Sequence, residues 1–205
     1  MGFPAQRRVK MKAVGSFDIQ TSIAVGAAVS YSFYANSIND ISITAGGTDR
    51  PLGYNQWEAF YNRYIVSGAK MWFKVVFSSS TIAHAAPFRV SVTLDDDNAY
   101  QPAVGTLLEA GMTRAKICHV ASISDPHMVS VSGRGFSARK MFNVGSLTSN
   151  PNVGATFGSD PTQKAYYRLH IENMGTANWS DGVAKVFWTW KGMVHFQEPK
   201  DLPTS

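Results

Sequence analysis

The chain has 205 residues, 44% of them hydrophobic, with 19 Lys and Arg against 14 Asp and Glu and a single cysteine, Cys118. That balance suits one folded domain with a sizeable core and excludes a disordered chain, while the lone cysteine excludes an intrachain disulfide and a cysteine-clustered zinc site. Apolar segments are short and broken by charge, so none can cross a bilayer as a helix, and "MGFPAQRRVKMK" has no apolar stretch of a secretory signal.

Arg7, Arg8, Lys10 and Lys12 crowd the first twelve residues, an uneven share of a net charge of +5. Such an end meets nucleic acid or an anionic surface, or simply keeps the chain soluble. Lys10 and Lys12 alternate with Val9, Met11 and Ala13, so a first strand over 9–20 buries one face and offers its lysines, with Arg7 and Arg8, to phosphates. A second strand over 27–36 places Val29, Tyr31, Phe33 and Ala35 on one side.

Next comes "PLGYNQWEAFYNRYIVSGAKMWFKVVF". Asn55 as a cap, Glu58 three positions on, and Trp57, Phe60, Tyr61 and Tyr64 at i, i+3, i+4 and i+7 predict a helix over 55–62 with one aromatic stripe. Barely two turns long, it cannot persist alone, and the stripe is expected to seal an edge or end of the core. From Lys70 the period becomes two, within a strand over 64–78: Met71, Phe73, Val75 and Phe77 face one way, Lys70, Trp72, Lys74 and Val76 the other.

Further strands are predicted over 87–95, 114–122, 128–143, 164–173 and 183–197. Phe88, Val90, Val92 and Leu94 share a face in the first of these. Ala165, Tyr167, Leu169 and Ile171 alternate with Lys164, Tyr166, Arg168, His170 and Glu172, the pattern of a strand with one wet face. The last strand sets Phe187 and Thr189 against Val186, Trp188 and Trp190, as expected where both sides are covered. Long loops rich in Gly, Pro, Asn, Asp and Ser separate the strands. Crossing between two sheets needs such length, so the prediction is an all-β fold, an eight-stranded antiparallel single jelly roll over 13–198. A basic arm at 1–12 precedes it, and a tail at 199–205 follows.

Chemistry is sparse. His84, His119, His127, His170 and His195 are scattered without a pair spaced for a metal. Asp95, Asp96 and Asp97 could offer oxygen ligands but lack the spacing of a calcium loop, and a solvated turn explains them as well. Cys118 and His119 are neighbours in a strand and point to opposite faces, which argues for a structural thiol. In "SGRGFSARK" the glycines complete no phosphate loop and are expected to relieve crowding or form a bulge. The expectation is a protein without enzymatic activity, cofactor or metal.

In order and spacing, three segments resemble the capsid proteins of circovirus-like, circular Rep-encoding single-stranded DNA viruses. Pro51, Gly53, Trp57, Tyr61, Tyr64, Val66, Gly68 and Lys70 match that family's first block, "SARKMF" (137–142) its basic segment, and "GSDPTQKAYYRLHI" (158–171) its entry to the seventh strand. The resemblance implies a T=1 icosahedral shell of sixty copies around a circular single-stranded DNA, no catalysis and no membrane insertion. It implies a virion location, with a nuclear stage of assembly where a full Arg-rich arm exists; here only Arg7, Arg8, Lys10 and Lys12 match the arm's end. Sixty such chains would carry a net charge of about +300 against about 615 phosphates in the coding stretch for 205 residues alone, so DNA binding is expected to be weak unless counterions, polyamines or a longer arm contribute.

On this reading the loops 37–54, 95–113 and 144–163 build the shell. Tyr54, Tyr100, Phe157 and Trp179 are candidate subunit contacts, although each could equally fold over its own core. Nucleic acid is expected at Arg7, Arg8, Lys10 and Lys12, with Arg139 and Lys140 in second rank. The alternative from another class is a non-catalytic carbohydrate-binding β-sandwich, whose exposed Trp and Tyr stack on sugars. A jelly-roll hydrolase would need a convergent His or carboxylate cluster.

Overall fold

Met71, Phe73, Val75 and Phe77 are all buried and Lys74 between them is exposed, so the longest alternating run behaves as the strand its period predicts. The computed structural model describes residues 4–19, 22–43, 49–79, 87–97, 112–119, 127–176, 178 and 182–201. In chain order these form β1 (Gln6–Ile19), β2 (Ala28–Tyr34), α1 (Tyr54–Phe60), β3 (Tyr61–Ser79), β4 (Pro87–Asp95), β5 (Thr113–His119) and β6 (His127–Ser132). Then follow β7 (Phe136–Ser137), one helical turn α2 (Ala138–Met141), a 3-10 turn (Pro151–Val153), β8 (Gly154–Thr156), β9 (Tyr166–Asn173) and β10 (Gly182–Pro199).

Two antiparallel four-stranded sheets face each other, ordered β1-β10-β3-β6 and β2-β9-β4-β5, with β7 and β8 as short additions to β3. Of the eight principal strands only β4 and β5 are consecutive in sequence within one sheet; every other connection crosses between sheets. That winding is the jelly roll expected from the long loops. The core lies between the sheets, with Phe33, Phe88, Tyr167 and Leu169 from one and Met71, Phe73, Val186 and Trp190 from the other.

Four local expectations change. The predicted strand over 128–143 stops at Ser132 and resumes only as β7, and Arg139 and Lys140 stand exposed on α2. The helix starts at Tyr54 rather than at a cap on Asn55, because Gly53, at φ 86, turns the chain into it and accepts the Trp57 N–H. Tyr61 and Tyr64 therefore belong to β3, and the stripe is closed by contact: Trp57 stacks on Phe196 at 4.8 Å, with Tyr61 at 6.1 Å. Residues 6–12, expected as arm, are the first half of β1, paired with β10 from Gln6↔Gln197 onward, and β10 runs one residue into the expected tail.

The fourth change concerns which faces are wet. Phe187 is 41% exposed, so β10 is covered on one side only. Conversely, on the expected wet face of β9, Arg168 and His170 are 2% and 3% exposed. Burial, followed by the positive charge of Arg168, pushes the His170 imidazole down to about 4. An unfolded chain protonates its histidine near 6.5, so stability is complete above that pH and falls as pH drops toward 4, by about 2–3 kcal/mol. Urea midpoints in chloride buffer should decline over this range, and His170→Gln should remove this share of the decline.

One side chain ties the two sheets together. From β9 the Tyr167 hydroxyl shares its proton between the carbonyls of Ala69 (2.9 Å) and Arg134 (2.8 Å) and accepts the Phe136 N–H at 3.1 Å. Gly133 has to be a glycine here, because a Cβ would sit 2.6 Å from the Tyr167 ring. Tyr167→Phe leaves the buried Phe136 N–H without its acceptor, and chemical denaturation should register a loss of about 1–3 kcal/mol.

Candidate nucleic-acid interface

The outward face of the β1-β10-β3-β6 sheet gathers cations from strands far apart in sequence. Strict alternation turns Arg8, Lys10 and Lys12 outward on β1 while Met11 and Ala13 enter the core; Arg7 takes the opposite side. Cross-strand register then places Lys12 opposite Lys191, and Lys191 opposite Lys70, three lysines in one row. Like charges directly opposite one another destabilise a sheet, so this row costs folding energy unless an anion lies across it.

The next row is Val14, Thr189, Trp72 and Ser132, and the one after is Ser16, Phe187, Lys74 and Ser130. Trp72 is the pivot, with the ammonium groups of Lys70 and Lys191 each 5.3 Å from its ring centroid. The carboxylate in the following row, Asp18, is taken by Lys185 at 3.6 Å. At the other end Arg8 is paired with His195, whose ring meets the Ser67 hydroxyl at 2.9 Å. Ser67 is where the register of β3 against β10 shifts. Burial, then the charges of Arg8 and Arg139, hold His195 below its ordinary range, which brings Arg139 of α2 to this same edge.

Between the rows and β5 lies a groove of about 620 Å³ lined by Trp72, Lys74, Arg114, Lys116, Ser130, Ser132, Phe187 and Thr189. Arg114 and Lys116 register with Val92 and Val90 on β4, hence on the core side of their own sheet. Because β5 is an edge strand, these two side chains reach past β6; Arg114 Nη1 lies 3.4 Å from the Ser132 hydroxyl. The half-buried indole of Trp72 and the exposed Phe187 ring can stack bases while the neighbouring cations neutralise phosphates.

Of the nucleic-acid residues expected from sequence, Arg8, Lys10, Lys12 and Arg139 therefore converge on this face; Arg7 is exposed but on the other side of β1, and Lys140 is exposed on α2. Sequence reasoning did not assign Lys70, Trp72, Lys74, Arg114, Lys116, Phe187 and Lys191. For Lys70, Trp72, Lys74 and Lys191 the shared strand face was readable but the partner of each strand was not; Phe187 was expected to be covered, and Arg114 and Lys116 stand on the core side of β5.

The expected subunit-contact aromatics behave differently. Tyr54 is 2% exposed, and its hydroxyl accepts the Gly158 N–H at 2.7 Å. Phe157 packs against Tyr54 (5.2 Å), Tyr64 (5.8 Å) and Phe196 (5.8 Å). Both fold over their own core, the second of the two options left open by sequence. Tyr100 and Trp179 lie outside the described residues, as does His84. Among the described residues the exposed apolar loop side chains are instead Leu52 (91%), Val25 (47%), Met112 (47%) and Met174 (42%).

Elsewhere, Asp95 Oδ1 accepts the N–H groups of Asp96 (2.8 Å) and Asp97 (3.2 Å), and Cys118 is a half-buried free thiol whose pKa is raised by burial. Among the described residues no three His, Cys, Asp or Glu side chains gather as a metal site, and no helix is long and apolar enough to cross a membrane.

No protein-family model and no curated protein matches the chain. Among solved structures it is similar to desmodium yellow mottle tymovirus, at 13% identity and TM-score 0.40 over 100% of this chain and 94% of that one. It is also similar to the BFDV capsid protein, both in a 60-mer (11% identity, TM-score 0.42, 99% of this chain and 100% of that one) and in a decamer (13%, 0.44, 94% and 100%).

Proposed function

We propose that this chain is a viral capsid protein whose copies assemble into a closed T=1 shell, with the lysine-rich sheet face turned inward onto single-stranded DNA. The observation that carries the reading is the row Lys12, Lys191 and Lys70 beside the half-buried Trp72 and the exposed Phe187. A row of cations with no carboxylate in ion-pair reach among the described residues calls for a polyanion, and aromatic rings beside it favour one whose bases are unpaired and free to stack. Neutral sugars would use the rings but not the charge, which weighs against the carbohydrate-binding alternative. The sixty-copy count and the circular genome come from the resemblance of the three sequence blocks.

For the shell contacts we assign the exposed loop residues Leu52, Val25, Met112 and Met174, and from the sequence alone Tyr100 and Trp179. Gel filtration and negative-stain microscopy of the purified protein test assembly: uniform megadalton particles are expected, and a species of 22.4 kDa at every salt and pH would overturn the reading. The ratio of absorbance at 260 and 280 nm then reports whether nucleic acid is enclosed. A particle forming with no affinity for single-stranded DNA would keep the shell and remove the inward-facing role of the lysines.

A further inference from the structure

On the other sheet, the outward face holds charge that no described side chain answers. Register sets Ser30, His170 and Ser91 in one row and Ser32, Arg168 and Thr93 in the next. His170, Arg168 and Ser91 are 3%, 2% and 1% exposed. All three guanidinium nitrogens of Arg168, with His170 Nε2 and Ser91 Oγ, are buried without a hydrogen-bond partner.

Among the described residues, the carboxylates one row away are each engaged elsewhere through one oxygen. Glu172, one row beyond His170, accepts from Arg89 Nε at 2.6 Å and also pairs with its Nη2. Asp95, one row beyond Arg168, holds two backbone N–H groups on Oδ1. Arginine cannot shed its proton to escape burial, and an unpaired buried charge costs several kcal/mol. His170 is neutral at pH 7, because burial and Arg168 hold it down to about 4. Ser30 Oγ and His170 Nδ1 lie 2.7 Å apart, and in the tautomer where the hydroxyl donates to Nδ1 the ring proton is on Nε2, available as a donor on the same face as Arg168. The unpaired groups are thus a guanidinium fork, an imidazole N–H and a hydroxyl, all able to donate and together bearing a single positive charge.

We propose that Arg168, His170 and Ser91 form a buried site for one small inorganic oxyanion of the phosphate or sulfate class. Side chains on adjacent rows and strands stand about 5–7 Å apart, a spacing that one tetrahedral ion bridges. The guanidinium fork binds two oxygens of such an ion in its plane, and His170 Nε2 and Ser91 Oγ reach the others. Burial excludes a polymer: nucleic acid and sulfated polysaccharide cannot reach groups so enclosed. The site is independent of the capsid reading, since it lies on the opposite sheet and uses none of the lysines.

Equilibrium dialysis of nuclease-treated protein against radiolabelled orthophosphate, at constant ionic strength in chloride, tests the assignment. Saturable binding of one phosphate per chain is expected, displaced by sulfate and not by chloride. Arg168→Met should weaken binding by more than about tenfold and His170→Gln by less, while Lys70→Gln with Lys191→Gln should leave it unchanged. If Arg168→Met does not fold, wild type and His170→Gln carry the test, read also as a phosphate-dependent rise in Tm that is smaller in His170→Gln. Absence of saturable binding, binding unaffected by both site variants, or binding lost with the lysines would overturn the proposal. An acidic side chain of the chain or of a neighbouring copy filling the gap would give the first of these results.

Discussion

Trp190→Ala is expected to lower the stability of the unassembled chain by about 3–5 kcal/mol, the largest loss from any single core truncation here. Trp190 is fully buried in β10, the strand flanked by β1 and β3, with Ala13 and Met71 as its cross-strand partners. Its ring occupies space that Gly192 leaves free, since a Cβ there would collide with it. Its Nε1 donates to the Ala35 carbonyl at 3.4 Å across the sandwich, so the truncation also strands an acceptor from the other sheet. Two sheets held at fixed separation by Phe33, Phe73 and Trp188 cannot collapse into the vacated volume, so the cavity term adds to the lost transfer energy. For a domain of this size each kcal/mol moves Tm by about 2–4 °C, and calorimetry should find a drop of roughly 6–20 °C. Trp72→Ala, on the outward face, should cost much less stability and instead remove the fluorescence quenching that accompanies stacking of single-stranded DNA.

The contrast between these two tryptophans marks what could be read from the sequence. Period-two alternation over 70–77 separates Met71, Phe73, Val75 and Phe77 from Lys70, Trp72 and Lys74, because side-chain direction in a strand is a local property. Alternation is silent on what covers each face. It left Arg168 and His170 looking solvated and Phe187 looking covered, and the structure reverses both. Register is equally non-local: Lys12, Lys70 and Lys191 lie far apart in the chain and meet only because β10 enters between β1 and β3. Arg114 and Lys116 were hidden for a third reason. They occupy core-side positions of β5 and escape the core only because that strand is an edge. At α1 the polar residues Asn55 and Glu58 suggest a capping box, but Tyr54 is buried and already helical, so the left-handed turn at Gly53 sets the start.

Exchanging Lys12, Lys70 and Lys191 together for glutamine should weaken single-stranded DNA binding by about two to three decades at 50 mM salt, while leaving the fold intact. Each phosphate contact contributes about 0.7 to the slope of log affinity against log salt, so three contacts account for about 2 units of slope. The loss should shrink as salt rises and nearly vanish near 1 M, which separates lost counterion release from lost stacking. Stability should move the other way: relieving three like charges in one cross-strand row stabilises the sheet by a few tenths of a kcal/mol per pair, visible as an unchanged or higher Tm. A variant that binds as weakly at 1 M salt as at 50 mM would place the affinity in stacking on Trp72 and Phe187. A variant with unaltered slope would show that this row does not touch the phosphates, and would shift the interface to Arg8, Lys10 and Arg139 at the far edge of the same face.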